Sequence, residues 1–128
     1  MEVRCQLPRE PYAPSRARHA VDQLTEGLRW RAADVLLVVS ELVTNSLRHG
    51  PATADIEVLA RRSEDALEVE VCDPGSGFEL QLSPRRRDAL QGGGLGLVIV
   101  DALADEWGLR TDGQACMWAR FDLSESAG

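Results

Sequence analysis

The sequence predicts an α+β domain, with three helices covering one face of a mixed, mostly antiparallel sheet. Three observations carry this expectation. Several short runs alternate apolar and polar residues, as half-buried strands do, and three longer runs place apolar residues three and four apart, as amphipathic helices do. Their order is strand, two helices, two strands, helix, two strands. Clustering of helices and strands in this way favours a sheet with helices on one side over an alternating parallel sheet. At 128 residues the chain is long enough for one core and too short for two, so residues 1–128 are read as a single domain.

Val3, Cys5 and Leu7 alternate with polar neighbours and form the first strand, ended by Pro8. Pro11 to Pro14 connects it to a helix capped by Ser15, in which Ala17, Val21, Leu24 and Leu28 make a narrow apolar stripe. His19 lies in this helix, as an exposed or capping side chain with no partner motif. Asp34 is the expected N-cap of the second helix, whose wide apolar face comprises Val35, Leu36, Val38, Val39, Leu42, Val43 and Leu47. Gly50 and Pro51 stop it, because glycine takes the left-handed conformation and proline cannot continue a helix. Two alternating runs, Ile56 to Ala60 and Leu67 to Val71, flank a polar turn at residues 62–65 and read as an antiparallel hairpin. Residues 79–91 are polar and arginine-rich and read as a loop. Val98, Ile99, Ala102 and Leu103 then mark the third helix. Trp107 to Arg110, an Asp112-Gly113 turn and Cys116 to Leu123 form a closing hairpin, followed by a frayed tail at 124–128.

Composition narrows the function classes. The net charge of −7 argues against binding nucleic acid through its phosphates. All 14 basic residues are arginine, and a Walker-type phosphate loop needs a lysine, so a nucleotide site here must be built differently. No apolar run has the length of a membrane span and Met1 to Cys5 is not a signal-peptide start, so a cytoplasmic protein without membrane contact is expected. Cys5, Cys72 and Cys116 are too scattered for a zinc site and odd in number, so reduced thiols are expected.

Three segments carry chemistry. Glu41 and Asn45 sit four apart on the second helix, one turn from each other on one face, and can reach a single ligand; the alternative is that Glu41 lies on the solvated side with Arg48 and His49. Asp73, at a strand end, is followed by Gly75 and Gly77; an aspartate there can accept from an exocyclic amine while the glycines admit a flat ring, and an ordinary Asp-Pro-Gly turn is the competing interpretation. Gly92, Gly94 and Gly96, with Leu95 and Leu97, run directly into the third helix. Backbone N–H groups there can close on an anion, aided by the roughly half positive charge of a helix N-terminus, and a flexible linker before a helix start is the competing interpretation.

In this order the three segments resemble the N, G1 and G2 boxes of the GHKL ATPases, the superfamily of gyrase, heat-shock chaperone, histidine kinase and mismatch-repair ATPases. The wording Ser40-Glu41-Leu42-Val43-Thr44-Asn45-Ser46-Leu47-Arg48-His49-Gly50 and the ending Cys116 to Phe121 are most similar to the anti-sigma factor serine kinases. Stand-alone copies of that type are numerous in actinobacteria, which fits the lysine-free composition. The resemblance covers about residues 12–123. It implies a two-layer Bergerat fold that binds ATP and Mg²⁺. By position, Asn45 ligates the metal, Glu41 is the general base, Asp73 reads the adenine amine with Gly75 and Gly77 beside the ring, and Gly92, Gly94, Leu95, Gly96 and Leu97 hold the phosphates. Arg86, or its neighbours Arg85 and Arg87, closes over the γ-phosphate. It further implies a homodimer that phosphorylates an anti-anti-sigma protein of the STAS type and sequesters a sigma factor. An ATP-dependent regulatory binding module without phosphotransfer is the alternative. A histidine kinase catalytic domain is disfavoured, because the only histidine near the start, His19, lies within the domain's own first helix. The chain departs from the resemblance at one point: kinases of this type carry a threonine near the adenine on the last strand, and by position Cys116 stands there.

Overall fold

The computed structural model describes residues 1–49, 54–73, 95–110 and 114–123. The expected stop at Gly50-Pro51, the 79–91 loop, the Asp112-Gly113 turn and the 124–128 tail lie outside them.

The elements are β1 (Glu2–Leu7), α1 (Ala13–Asp22), α2 (Trp30–His49), β2 (Ile56–Arg62), β3 (Ala66–Asp73), α3 (Leu95–Leu103), β4 (Glu106–Arg110) and β5 (Ala115–Asp122). The five strands form one sheet in the order β1-β2-β3-β5-β4, and all four pairings are antiparallel. The α+β prediction therefore stands. Because side chains alternate across each strand, every second residue faces the helices: Ile56, Val58 and Ala60 on β2, Leu67, Val69 and Val71 on β3, and Met117, Ala119 and Phe121 on β5. All are buried against Ala17 and Val21 of α1, Val35, Val39 and Leu42 of α2, and Leu97 and Val100 of α3. Among the described residues, the opposite face carries charged side chains and no helix. There Arg110 pairs with Glu70 at 2.6 Å and lies 5.0 Å from the Trp118 ring centroid. Gly108 makes room for that ring, since a Cβ on it would come within 3.0 Å.

Two helix starts differ from expectation. α1 begins at Ala13 with Tyr12 as an N-cap that makes no side-chain bond, so Ser15 is not the cap; Pro14 in the first turn presets the helical φ. It ends at Asp22 and passes into a 3₁₀ turn, Gln23–Thr25, in which the Thr25 hydroxyl donates to the Asp22 carbonyl at 2.7 Å. Leu24 is buried all the same. α2 begins at Trp30, four residues before Asp34, which pairs with Arg31 instead of capping. Its 20 residues span about 30 Å at 1.5 Å per residue.

The cysteine expectation is corrected. The β3–β5 register sets Cys72 opposite Cys116 with their Cα atoms 4.0 Å apart, and the two form a disulfide. Scatter in sequence misled here, because antiparallel pairing brings together residues 44 positions apart. Cys5 remains free, and burial raises its thiol pKa. Cross-linking across 44 residues constrains the unfolded chain, so reduction should lower the unfolding free energy by about 2–4 kcal/mol. Denaturant melts with and without a dithiol reductant test this, and identical midpoints would contradict it.

The register also orders the two sheet edges. β1 ends, β2 begins, β3 ends, β5 begins and β4 ends at one edge. At the other lie the β2–β3 turn and both ends of the sheet-forming chain, where the Met1 amino group donates to the Arg62 carbonyl and the Leu123 N–H donates to the Asp65 carbonyl. Among the described residues, no helix is long and apolar enough to cross a membrane.

Candidate functional site

The candidate site lies at the edge where β3 ends, beneath the C-terminal half of α2 and the start of α3. The apolar stripe of α2 turns Val38, Val39, Leu42 and Val43 into the core, and this rotation leaves Glu41 half-buried and Asn45 buried one turn further on. Glu41 is therefore not on the solvated side; Arg48 is exposed, while Glu41 faces α3. At Gly96 a Cβ would stand 2.8 Å from the Glu41 Oε1, so the carboxylate fills the space that a side chain would otherwise take. This is a use of the glycine that phosphate binding alone does not explain.

Asn45 points its Nδ2 at the Met117 sulfur, 3.2 Å away. The donor end of the amide is thus used inside the protein, and its oxygen is the end with the chemistry of a hard-cation ligand. Magnesium takes few protein ligands and draws the rest from water and phosphates, so one amide oxygen on a buried, packed helix fits it. The carboxylate–thiol cluster among the described residues, Glu70 with Cys72 and Cys116, lies on the other sheet face, with its sulfurs joined to each other.

Asp73 ends β3 on the helix side of the sheet and is 1% exposed. A buried carboxylate needs partners, and it has two: Ser46 Oγ donates to Oδ2, and the Arg9 guanidinium pairs with Oδ1. Arg9 also donates from Nε to the Ala54 carbonyl at 2.6 Å and from Nη1 to the Ser46 carbonyl at 2.8 Å. Burial pushes the Arg9 pKa down, and the nearby charge of Asp55 opposes the shift.

α3 starts at Leu95, so the N–H groups of Leu95, Gly96 and Leu97 fall in its first turn, where intrahelical partners are lacking. The Leu97 side chain is fully buried, which leaves only its backbone to a ligand. Gly75, Gly77, Arg86, Gly92 and Gly94 lie outside the described residues. The structure thus brings Glu41, Asn45, Asp73 and the α3 start to one edge. Cys116 is a correction: pleat parity puts it on the outer face with Cys72, and Met117 is the β5 residue that faces α2. Counting inward from Phe121 by twos finds Met117 in the sequence; motif wording does not. Ser46 and Arg9 were missed as well. Ser46 follows the motif residue directly, whereas Arg9 sits in a proline-flanked connector with no signal.

A family model described as a histidine kinase-like ATPase domain matches residues 7–121. The serine-protein kinase RsbW of Listeria innocua is 30% identical over 120 residues, covering 82% of this chain and 76% of its own. RsbW of Bacillus licheniformis is 34% identical over 92 residues, with coverage of 62% and 57%. Among solved structures, the RsbU and RsbW domains of a Mycobacterium tuberculosis protein superpose with a TM-score of 0.68 at 17% identity, covering 94% of this chain and 32% of that one. The SiaB–SiaC complex from Pseudomonas aeruginosa contains a chain with a TM-score of 0.61 at 18% identity, covering 94% and 89%.

Proposed function

Because the chain belongs to the histidine kinase-like ATPase family, we propose that it is an ATP-dependent serine kinase of the anti-sigma type. It acts on a serine of an anti-anti-sigma partner and thereby controls the availability of a sigma factor, as a homodimer in the cytoplasm. The observation that carries this reading is the placement of Glu41: a half-buried carboxylate, one turn from Asn45, held in the space opened by Gly96. A pure binding module has no need of a carboxylate at that point, which favours transfer over binding alone.

The division of labour follows from the side chains. Asp73 accepts a hydrogen bond from the exocyclic amine of the base. The first-turn N–H groups of α3 meet the phosphates. Asn45 offers its amide oxygen to Mg²⁺, which when bound neutralises phosphate charge. Glu41 takes the proton of the attacking serine hydroxyl. Arg86, with Gly75, Gly77, Gly92 and Gly94, completes the nucleotide site in this proposal.

Incubation with γ-labelled ATP and a STAS-type protein encoded nearby tests the reading. Label on a partner serine is expected; tight ATP binding with no transfer to any such partner overturns the kinase assignment. A second expectation concerns Gly96. In Gly96→Ala the clash falls on the flexible end of Glu41, so the fold should persist with little change in melting temperature. The displaced carboxylate should slow transfer by about ten- to a hundredfold, since small misplacements of a reacting group are that costly. Unchanged turnover would separate Gly96 from Glu41.

A further inference from the structure

The buried Arg9–Asp73 pair bears on which base the site accepts. Arg9 is held from three sides. Its side chain is 9% exposed, it pairs with Asp73, and its remaining donors reach the Ser46 and Ala54 carbonyls. Ser46 lies in the last described turn of α2, so Arg9 places its charge on a carbonyl near the negative end of that helix. One guanidinium thus ties the β1–α1 connector, the end of α2, the entry to β2 and the end of β3 around a single carboxylate. Only a planar fork with several donors does this; an ammonium has one point of charge.

We propose that Arg9 is a positioning residue that sets the base preference of the nucleotide site, by fixing the Asp73 carboxylate and holding it as an acceptor only. The proposal rests on the reading of Asp73 as the contact to the exocyclic amine. A carboxylate locked in the acceptor state welcomes a 6-amino purine and opposes a 6-oxo purine, whose oxygen is also an acceptor. Without the guanidinium, a buried carboxyl takes up a proton to escape its uncompensated charge. It then donates as well as accepts, and the distinction between the two bases disappears. Ser46 cannot prevent this, since its hydroxyl serves either form.

Calorimetric titration with Mg·ATP and with Mg·ITP, on the wild type, Arg9→Gln, Arg9→Lys and Asp73→Asn, tests the idea. The wild type should prefer ATP by about ten- to a hundredfold, the range set by a lost hydrogen bond and an unpaired acceptor. Arg9→Gln should bring that ratio close to one, and Arg9→Lys, which keeps the charge and loses the fork, should lower it partway. If Arg9→Gln does not fold, Arg9→Lys carries the test. An ATP/ITP ratio unchanged in the folded Arg9 variants, with only the melting temperature lowered, makes Arg9 a brace of the fold and overturns the proposal. A wild type that binds both nucleotides alike, or an Asp73→Asn variant that keeps the preference, overturns the reading of Asp73 and the role of Arg9 with it.

Discussion

In calorimetry, Asn45→Ala is expected to reduce Mg·ATP binding below detection while leaving the fold intact. The substitution removes an amide from a buried position on a helix whose other buried neighbours, Leu42 and Val43, keep their packing. The cost in stability is about 1–3 kcal/mol, from the small void and the lost contact to the Met117 sulfur. In the proposed site the cost in binding is larger, because the amide oxygen assigned to the metal is gone. Unchanged Mg·ATP affinity in a folded Asn45→Ala protein would remove the residue from the metal site. The Mg²⁺-free titration provides the control: nucleotide binding without metal should differ little between the two proteins.

Glu41→Ala is expected to separate binding from transfer. Glu41 is half-buried and faces a glycine, so truncation opens space without stranding a buried partner. Nucleotide affinity should stay within a few-fold of wild type. Transfer to the partner serine should slow by about 10²–10⁴-fold, the usual worth of a positioned general base, which corresponds to about 3–5 kcal/mol of barrier. Single-turnover measurement with saturating ATP reads this step directly, and a wild-type rate in Glu41→Ala would rule out the base. Together the two variants discriminate sharply: one is defective before the nucleotide is held, the other only afterwards.

Much of this arrangement was legible in the sequence, for physical reasons. Alternation on β2 and β3 and the wide stripe on α2 are direct consequences of one buried face, so those elements were found with correct faces. Glu41 and Asn45 were found because polar residues at helical spacing within an apolar run are conspicuous. Helix starts were harder: α1 relies on Pro14 and packing, with no capping side chain to mark its beginning. The disulfide and the Arg9–Asp73 pair were not legible. Each joins distant segments, Cys72 with Cys116 and Arg9 with Asp73, and local pattern holds no information on which strands become neighbours. The Cys116 assignment shows how a shift of one residue on a strand exchanges pocket for outer surface.

The placement of Met1 and Leu123 has a consequence for where the protein tolerates a label. Met1 and Leu123 are both tied to the β2–β3 turn, at the sheet edge opposite Asp73. At Met1 and Leu123 the described chain therefore lies away from Asp73 and the rest of the candidate site. A label attached to Met1 or Leu123 should therefore leave nucleotide binding at the candidate site unchanged.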